Sequence, residues 1–201
     1  MNLFIKLYPF HCIALCICIL FTYSQRMKYP FLFFCLVLLG MFYFFRIPTI
    51  HPPPSDTTIR APSYGRVKKI RTTASHISID IVLDLLDVHA QYIPYDGVIR
   101  RIQYNPGKFN IILNHTNNDE NENNTLFLDT EYGSIEVVQY AGYLTRRILT
   151  FYEPDSQMVK GEMYGFITFG SQVSVRLPLD TYVAVNEGDR VYGPDTIIAK
   201  W

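Results

Sequence analysis

The residues of this chain best equipped for chemistry are Gly170-Ser171, lying between two strand-like runs and preceded by the apolar Phe169. A serine hydroxyl can attack the carbonyl carbon of the residue before it, and a glycine there hinders the attack least. Acyl shift to the oxygen, then elimination and hydrolysis, would cut the chain and leave a pyruvoyl group on the new N-terminus. Taken alone, such a dipeptide is far more often a turn. His89 is the matching acid–base candidate, since histidine titrates near neutrality without a large shift. It could take the Ser171 proton, or simply be a histidine satisfied at a strand end. Asp87 and Asp96 are the nearby carboxylates, able to orient a histidinium or to cap turns. Arg146 and Arg147 carry guanidinium forks that suit phosphate oxygens, although one could pair inside the domain and the other be solvated. His76 and His115 read as loop residues. Among familiar signatures, no glycine-rich phosphate loop, zinc spacing or Ser-His-Asp sequence motif occurs, so no metal is expected.

The residues around these candidates form a series of ordered motifs. Lys160-Gly161-Glu162 and Tyr164-Gly165-Phe166-Ile167 lead into Phe169-Gly170-Ser171. Upstream stand Leu86-Asp87-Val88-His89, Pro94-Tyr95-Asp96-Gly97-Val98, Tyr104-Asn-Pro-Gly-Lys-Phe109, Asn121-Glu122 and Gln139-Tyr-Ala-Gly-Tyr-Leu-Thr-Arg-Arg-Ile148. Phe44-Phe45-Arg46-x-Pro48 comes directly after an apolar run. Over about residues 30–200 this series resembles the phosphatidylserine decarboxylases, in particular their short membrane-anchored forms. The resemblance implies self-cleavage at Gly170-Ser171 into chains 1–170 and 171–201 and a pyruvoyl cofactor made from Ser171. It also implies decarboxylation of phosphatidylserine to phosphatidylethanolamine, with His89 as acid–base. Such an enzyme needs no cofactor from outside.

One departure bears on processing. Where the family carries Ser-Pro-x-Asp-Gly, with an aspartate that serves self-cleavage, this chain reads Ala61-Pro62-Ser63-Tyr64-Gly65. A phenol with a reference pKa of about 10 stabilises a histidinium poorly. Asp87 or Asp96 could compensate. The alternative is a non-processing, catalytically inactive, membrane-tethered decarboxylase-like protein that binds or scaffolds.

Positioning these residues falls to two contrasting regions. The 201 residues carry 18 basic and 18 acidic side chains, so no basic field points to nucleic acid. Residues 3–23 and 30–45 are apolar and aromatic, and predict one or two N-terminal transmembrane helices within an anchor of residues 1–46; a span needs roughly 17–25 residues. Basic residues from Arg46 to Arg71 favour the cytoplasmic side for the rest of the chain. All four cysteines, Cys12, Cys16, Cys18 and Cys35, lie in the apolar runs, which excludes a disulfide framework or thiolate zinc site in the remainder. Residues 47–60 read as a stiff proline-rich linker. Residues 61–201 read as the decarboxylase-like domain.

That domain alternates short β-branched runs with glycine, proline and asparagine clusters, predicting a mainly β (α+β) fold. Strands are expected at Val67–Ile70, Ile77–Leu83, Val98–Tyr104, Leu126–Leu128, Ser134–Gln139, Phe166–Phe169 and Val173–Leu177. Short helices are expected at Tyr140–Leu149 and Leu83–His89, and a mobile polar loop at Asn114–Asn124. The pattern resembles the barrel-like β sandwich of lipoyl-type domains, an analogy of fold only. Phosphatidylserine and a lipid bilayer are the partners implied; self-association is left open.

Overall fold

The computed structural model describes residues 7–51, 54–107, 121–142, 148–168 and 172–201. The chain forms two compact units, Met1–Thr49 and Ile50–Trp201. In the first, helices α1 (Pro9–Ser24) and α2 (Lys28–Phe44) form an antiparallel hairpin. Pro9 at the start of α1 is tolerated because its missing N–H would have no helical partner there. Arg26, at φ 54°, makes the reversal. Tyr23 meets Phe31 at that end and Tyr8 meets Phe45 at the other, with ring centroids 5.7 and 5.4 Å apart.

The apolar side chains point outward: Phe10 is 82% exposed, and Leu20, Leu36 and Leu39 more than half. The helices are 16 and 17 residues long, about 24–26 Å at the standard rise. A hydrocarbon core is about 30 Å thick. Among the described residues no helix is long and apolar enough to cross a membrane, so the transmembrane helices expected from the apolar runs are not found. The Ser24–Met27 interruption ends the first helix, and Phe45 ends the second before Pro48.

The second unit is mainly β. Its largest sheet runs β13 (Arg190–Val191), β2 (Gly65–Thr72), β3 (Ile77–Val82), β11 (Gln172–Leu177), β7 (Gly133–Tyr140), β6 (Asn123–Thr130), β5 (Gly97–Asn105) and β9 (Gln157–Met158). Two three-stranded sheets complete it. One is β1 (Thr58–Arg60), β14 (Ile197–Lys200) and β12 (Tyr182–Val183); the other is β4 (Ala90–Tyr92), β10 (Met163–Ile167) and β8 (Ile148–Thr150). β1 therefore begins inside the stretch expected as linker.

Alternation builds the core. Val175 of β11 lies opposite Ile79 of β3 and Val137 of β7, and Val173 lies opposite Ile81, so one face of these neighbouring strands is aliphatic except at Gln139, the β7 partner of Val173. All five aliphatic residues are buried, each worth roughly 1.5–3 kcal/mol relative to exposure. β11 is thus a central strand, held by ladders on both sides from its first residue, Gln172.

The strands expected from sequence are present, with Leu83 and Thr168 falling just past the ends of theirs; Phe169 lies outside the described residues. The expected helices are replaced by other structure where they are described. Tyr140 ends β7 and Ile148–Thr150 is β8, while residues 143–147 lie outside the described segments. Leu83–His89 is a turn, because the Asp87 carboxylate accepts the Asp84 N–H at 2.8 Å and short acidic side chains compete in this way with helical bonding. Of the expected mobile loop, residues 121–124 are instead buried and lead into β6. Asn121 and Asn123 satisfy their amides there on the Ala141 and Asn121 carbonyls.

Candidate active site

His89 follows the Asp84–Asp87 turn and directly precedes β4. Its side chain is fully buried. Nδ1 lies 2.9 Å from the main-chain carbonyl oxygen of Asp87. A carbonyl oxygen only accepts, so Nδ1 is the protonated nitrogen and Nε2 the basic one of the neutral ring. The Phe166 ring lies against the imidazole, centroids 6.3 Å apart. The His89 carbonyl accepts the Ile167 N–H at 3.1 Å, which ties the histidine to the end of β10.

The turn that aims His89 is held by charge. One Asp87 carboxylate oxygen takes the Asp84 N–H, and the other pairs with Arg190 of β13. A second Arg190 nitrogen reaches Asp84 at 3.4 Å. Asp87 thus meets His89 through its main-chain carbonyl, while its carboxylate holds Arg190. Asp96 lies elsewhere, its carboxylate accepting the Lys160 N–H at 2.6 Å to fix the turn before β10. Sequence reasoning missed Arg190. It is about a hundred positions from Asp87 and no local pattern connects them.

Tyr64 sits at the entry to β2, half-buried between the rings of Tyr92 and Tyr192, with centroids 6.5 and 5.9 Å away. Burial pushes the Tyr92 phenol well above its ordinary range, and the neighbouring Tyr64 and Asp195 add to the shift. Gly65 beside it has φ +151°, and a Cβ there would come within 2.5 Å of the Val82 carbonyl oxygen. Only glycine fits this close strand crossing.

Gly170, Ser171, Arg146 and Arg147 lie outside the described residues. The residues that bracket the first two are defined. Ile167 is bonded to His89, and Gln172 pairs with Val82 and Tyr140. Gln172 donates to Ser174 at 3.0 Å, Ser174 donates to Asp80 at 2.7 Å, and Arg71 closes the chain on Asp80 at 2.6 Å.

Neighbouring strands carry buried amide side chains. Gln91 of β4 donates to the His89 carbonyl at 3.2 Å. Asn124 of β6 donates to Thr150 at 2.8 Å and to Gln139 of β7 at 3.4 Å. Gly165 of β10 pairs with both Gln91 and Thr150. A Cβ on it would lie 2.5 Å from the Leu149 carbonyl oxygen and 3.3 Å from the Gln139 amide nitrogen. Gln139 opens one of the sequence motifs; Gln91 gave no signal. Among the described residues no cluster of histidine, cysteine or carboxylate side chains is arranged to hold a metal ion.

A buried imidazole of fixed tautomer and neutral amides can support proton transfer away from bulk solvent. The comparisons with known proteins agree with this chemistry. The sequence model of phosphatidylserine decarboxylase matches residues 40–199. The phosphatidylserine decarboxylase proenzyme of Burkholderia ambifaria (strain MC40-6) is 34% identical over 174 residues, covering 83% of this chain and 81% of that protein. The proenzymes of Burkholderia vietnamiensis (strain G4 / LMG 22486) and Burkholderia cenocepacia (strain HI2424) are 33% identical over the same shares. With the matched region containing the His89 turn, the buried amides and both strands that flank Gly170-Ser171, the chain belongs to the phosphatidylserine decarboxylase family.

Proposed function

We propose that this chain is a proenzyme that cuts itself between Gly170 and Ser171 and then decarboxylates phosphatidylserine to phosphatidylethanolamine. The observation that supports this best is His89. Its Nδ1–H is committed to the Asp87 carbonyl, its basic Nε2 is buried, and its own carbonyl is bonded to Ile167, three residues before Gly170. His89 takes the proton from Ser171 Oγ as that oxygen attacks the Gly170 carbonyl. Acyl shift, elimination and uptake of water then release chain 1–170 and ammonia. Chain 171–201 retains β11, which stays paired with β3 and β7 of the larger chain and keeps the fragments together.

The residues present fit a pyruvoyl group, since His89, Gln91 and Gln139 put a basic nitrogen and amide donors and acceptors into a fully buried interior. That group supplies a carbonyl that draws in the electrons of the breaking carboxylate bond. The residues of the chain bind the headgroup, exclude water and return a proton to the decarboxylated carbon, the last from His89. Arg146 and Arg147 are read as the phosphate contacts, their forks matching its oxygens.

The helical hairpin is read as the attachment to the bilayer, with the β unit on the cytoplasmic side. Its apolar side chains face outward, Thr22 turns its hydroxyl onto the Cys18 carbonyl at 2.8 Å, and Arg46 covers the Tyr43 ring at 3.8 Å near the end of α2. A helix apolar all round suits lipid rather than water, and aromatic and basic residues favour its edge. The full chain should stay with membranes through an alkaline carbonate wash; release into the supernatant would refute the anchor.

Intact mass spectrometry of the denatured protein tests the function. Fragments meeting at Gly170/Ser171, the smaller one blocked by pyruvoyl, are expected. A single uncut chain would favour the non-processing, tethered reading instead. Because Tyr64 stands where the family carries aspartate, Tyr64→Asp should speed cleavage several-fold; an unchanged rate would remove Tyr64 from the cleavage set.

A further inference from the structure

Gln91 and Gln139 are both wholly buried, yet each leaves one amide atom without a hydrogen bond among the described residues. The open atoms are of opposite kinds: Gln91 Oε1 accepts and Gln139 Nε2 donates. Their orientation is fixed by their other ends. Gln91 Nε2 donates to the His89 carbonyl, so reversing that amide would set two acceptors face to face. Gln139 Oε1 receives the Asn124 amide, which is itself anchored on Thr150. Gly165 of β10 adjoins both residues: its backbone pairs with Gln91, and the Gln139 amide nitrogen lies 3.3 Å from where its Cβ would stand. Interiors seldom leave such atoms unmatched, because each forfeits its hydration without return.

We propose that Gln91 and Gln139 read the amino-acid part of the substrate headgroup, Gln139 Nε2 donating to its carboxylate and Gln91 Oε1 accepting from its amino group. The inference rests on the decarboxylase reading above. A donor and an acceptor together match a group bearing both a carboxylate and an amine. Their neutrality suits the reaction. A guanidinium would hold the carboxylate most tightly before carbon dioxide leaves, when its charge is greatest, and so would oppose the step. A neutral amide orients the carboxylate with less of that penalty. The bond from Gln91 to the His89 carbonyl places headgroup recognition beside the acid–base residue.

The test uses the full chain in detergent micelles, with Gln139→Met and Gln91→Met as variants of similar length. Cleavage is followed by mass, turnover on phosphatidylserine by KM and kcat, and product binding by inhibition with phosphatidylethanolamine, which keeps the amine and lacks the carboxylate. Gln139→Met should still cleave, raise KM for phosphatidylserine tenfold or more, and leave inhibition by phosphatidylethanolamine within about twofold. Gln91→Met should weaken both lipids. Equal weakening of both lipids by Gln139→Met would make it structural support and overturn the assignment. Loss of cleavage would move the pair to maturation and overturn it as well. A wild-type chain that stays uncut would refute the underlying function. In that case calorimetric titration with dihexanoyl phosphatidylserine and dihexanoyl phosphatidylethanolamine decides the pairing. A preference for the serine lipid that Gln139→Met abolishes would uphold it; no such preference would overturn it.

Discussion

A Ser171→Ala chain is expected to remain a single polypeptide of 201 residues, with no pyruvoyl end and no decarboxylation. Removal of Oγ takes away the only atom that can accept the acyl group, so the effect is absolute. His89→Gln should be graded instead, slowing cleavage about 10²–10⁴-fold, the usual contribution of a positioned base. Glutamine is chosen because its amide can still donate to the Asp87 carbonyl that holds Nδ1, which keeps the Asp84–Asp87 turn closed. Time courses by mass spectrometry separate the two variants. If His89→Gln cleaves at the wild-type rate while its melting temperature is unchanged, His89 is a packing residue and the proposed base is wrong.

The second large effect is on stability, at Lys160. This side chain is almost wholly buried, and its ammonium donates to the Asp56 carboxylate and carbonyl, each at 2.8 Å, and to the Thr58 carbonyl at 3.1 Å. Tyr95 presents its ring face 4.8 Å away. All three protons are used, and they fasten the start of β1 to the turn before β10. Asp56→Ala leaves a buried cation with carbonyls alone. Breaking a buried pair costs about 3–5 kcal/mol, but about a third of the Asp56 side chain faces water, so about 2–3 kcal/mol is expected here. That corresponds to a melting temperature lower by about 5–10 °C for a unit of this size. Lys160→Met added to Asp56→Ala should recover part of the loss, because the uncompensated charge goes with it.

The same pair sets a pH dependence. The bond from Lys160, aided by Thr58, holds the Asp56 carboxyl well below its ordinary value. A depressed folded value means the contribution is fully present above the unfolded pKa of about 3.9 and is lost as pH falls through the folded value. The difference in melting temperature between wild type and Asp56→Asn should therefore be largest near neutrality and shrink below about pH 4. Equal melting temperatures at pH 7 would show that Lys160 needs only the carbonyls.

Several of these roles belong to residues that the sequence made visible without explaining. Lys160 was conspicuous only as part of Lys160-Gly161-Glu162, ahead of the cleavage segment. The fold gives it a structural task, while Glu162 accepts the Tyr152 hydroxyl at 2.5 Å. Asp87 stood out as a carboxylate two residues from His89. Its contribution to the histidine comes through its carbonyl, because Arg190 and the Asp84 N–H already occupy its oxygens. Helical propensity at Leu83–His89 lost to that side-chain bonding, and the polar character of residues 121–124 hid a buried entry into β6.

The sequence alone was enough for whatever depends on local order and periodicity. The period-two runs within Ile77–Leu83 and Val173–Leu177 pointed to strands, because alternate side chains must share one apolar face. The motif order from Asp87 to Ser171 pointed to the family, because covalent chemistry at Gly170-Ser171 needs particular atoms next to one another in the chain. Only the tertiary structure decided the relations across long separations. Arg190 reaches Asp87, Asp56 reaches Lys160, and Gly165 pairs with Gln91 while standing beside the Gln139 amide. Each depends on which strands become neighbours and in what register. That choice is made by the packing of the whole apolar core, where a shift of one residue would turn every side chain of a strand to the opposite face.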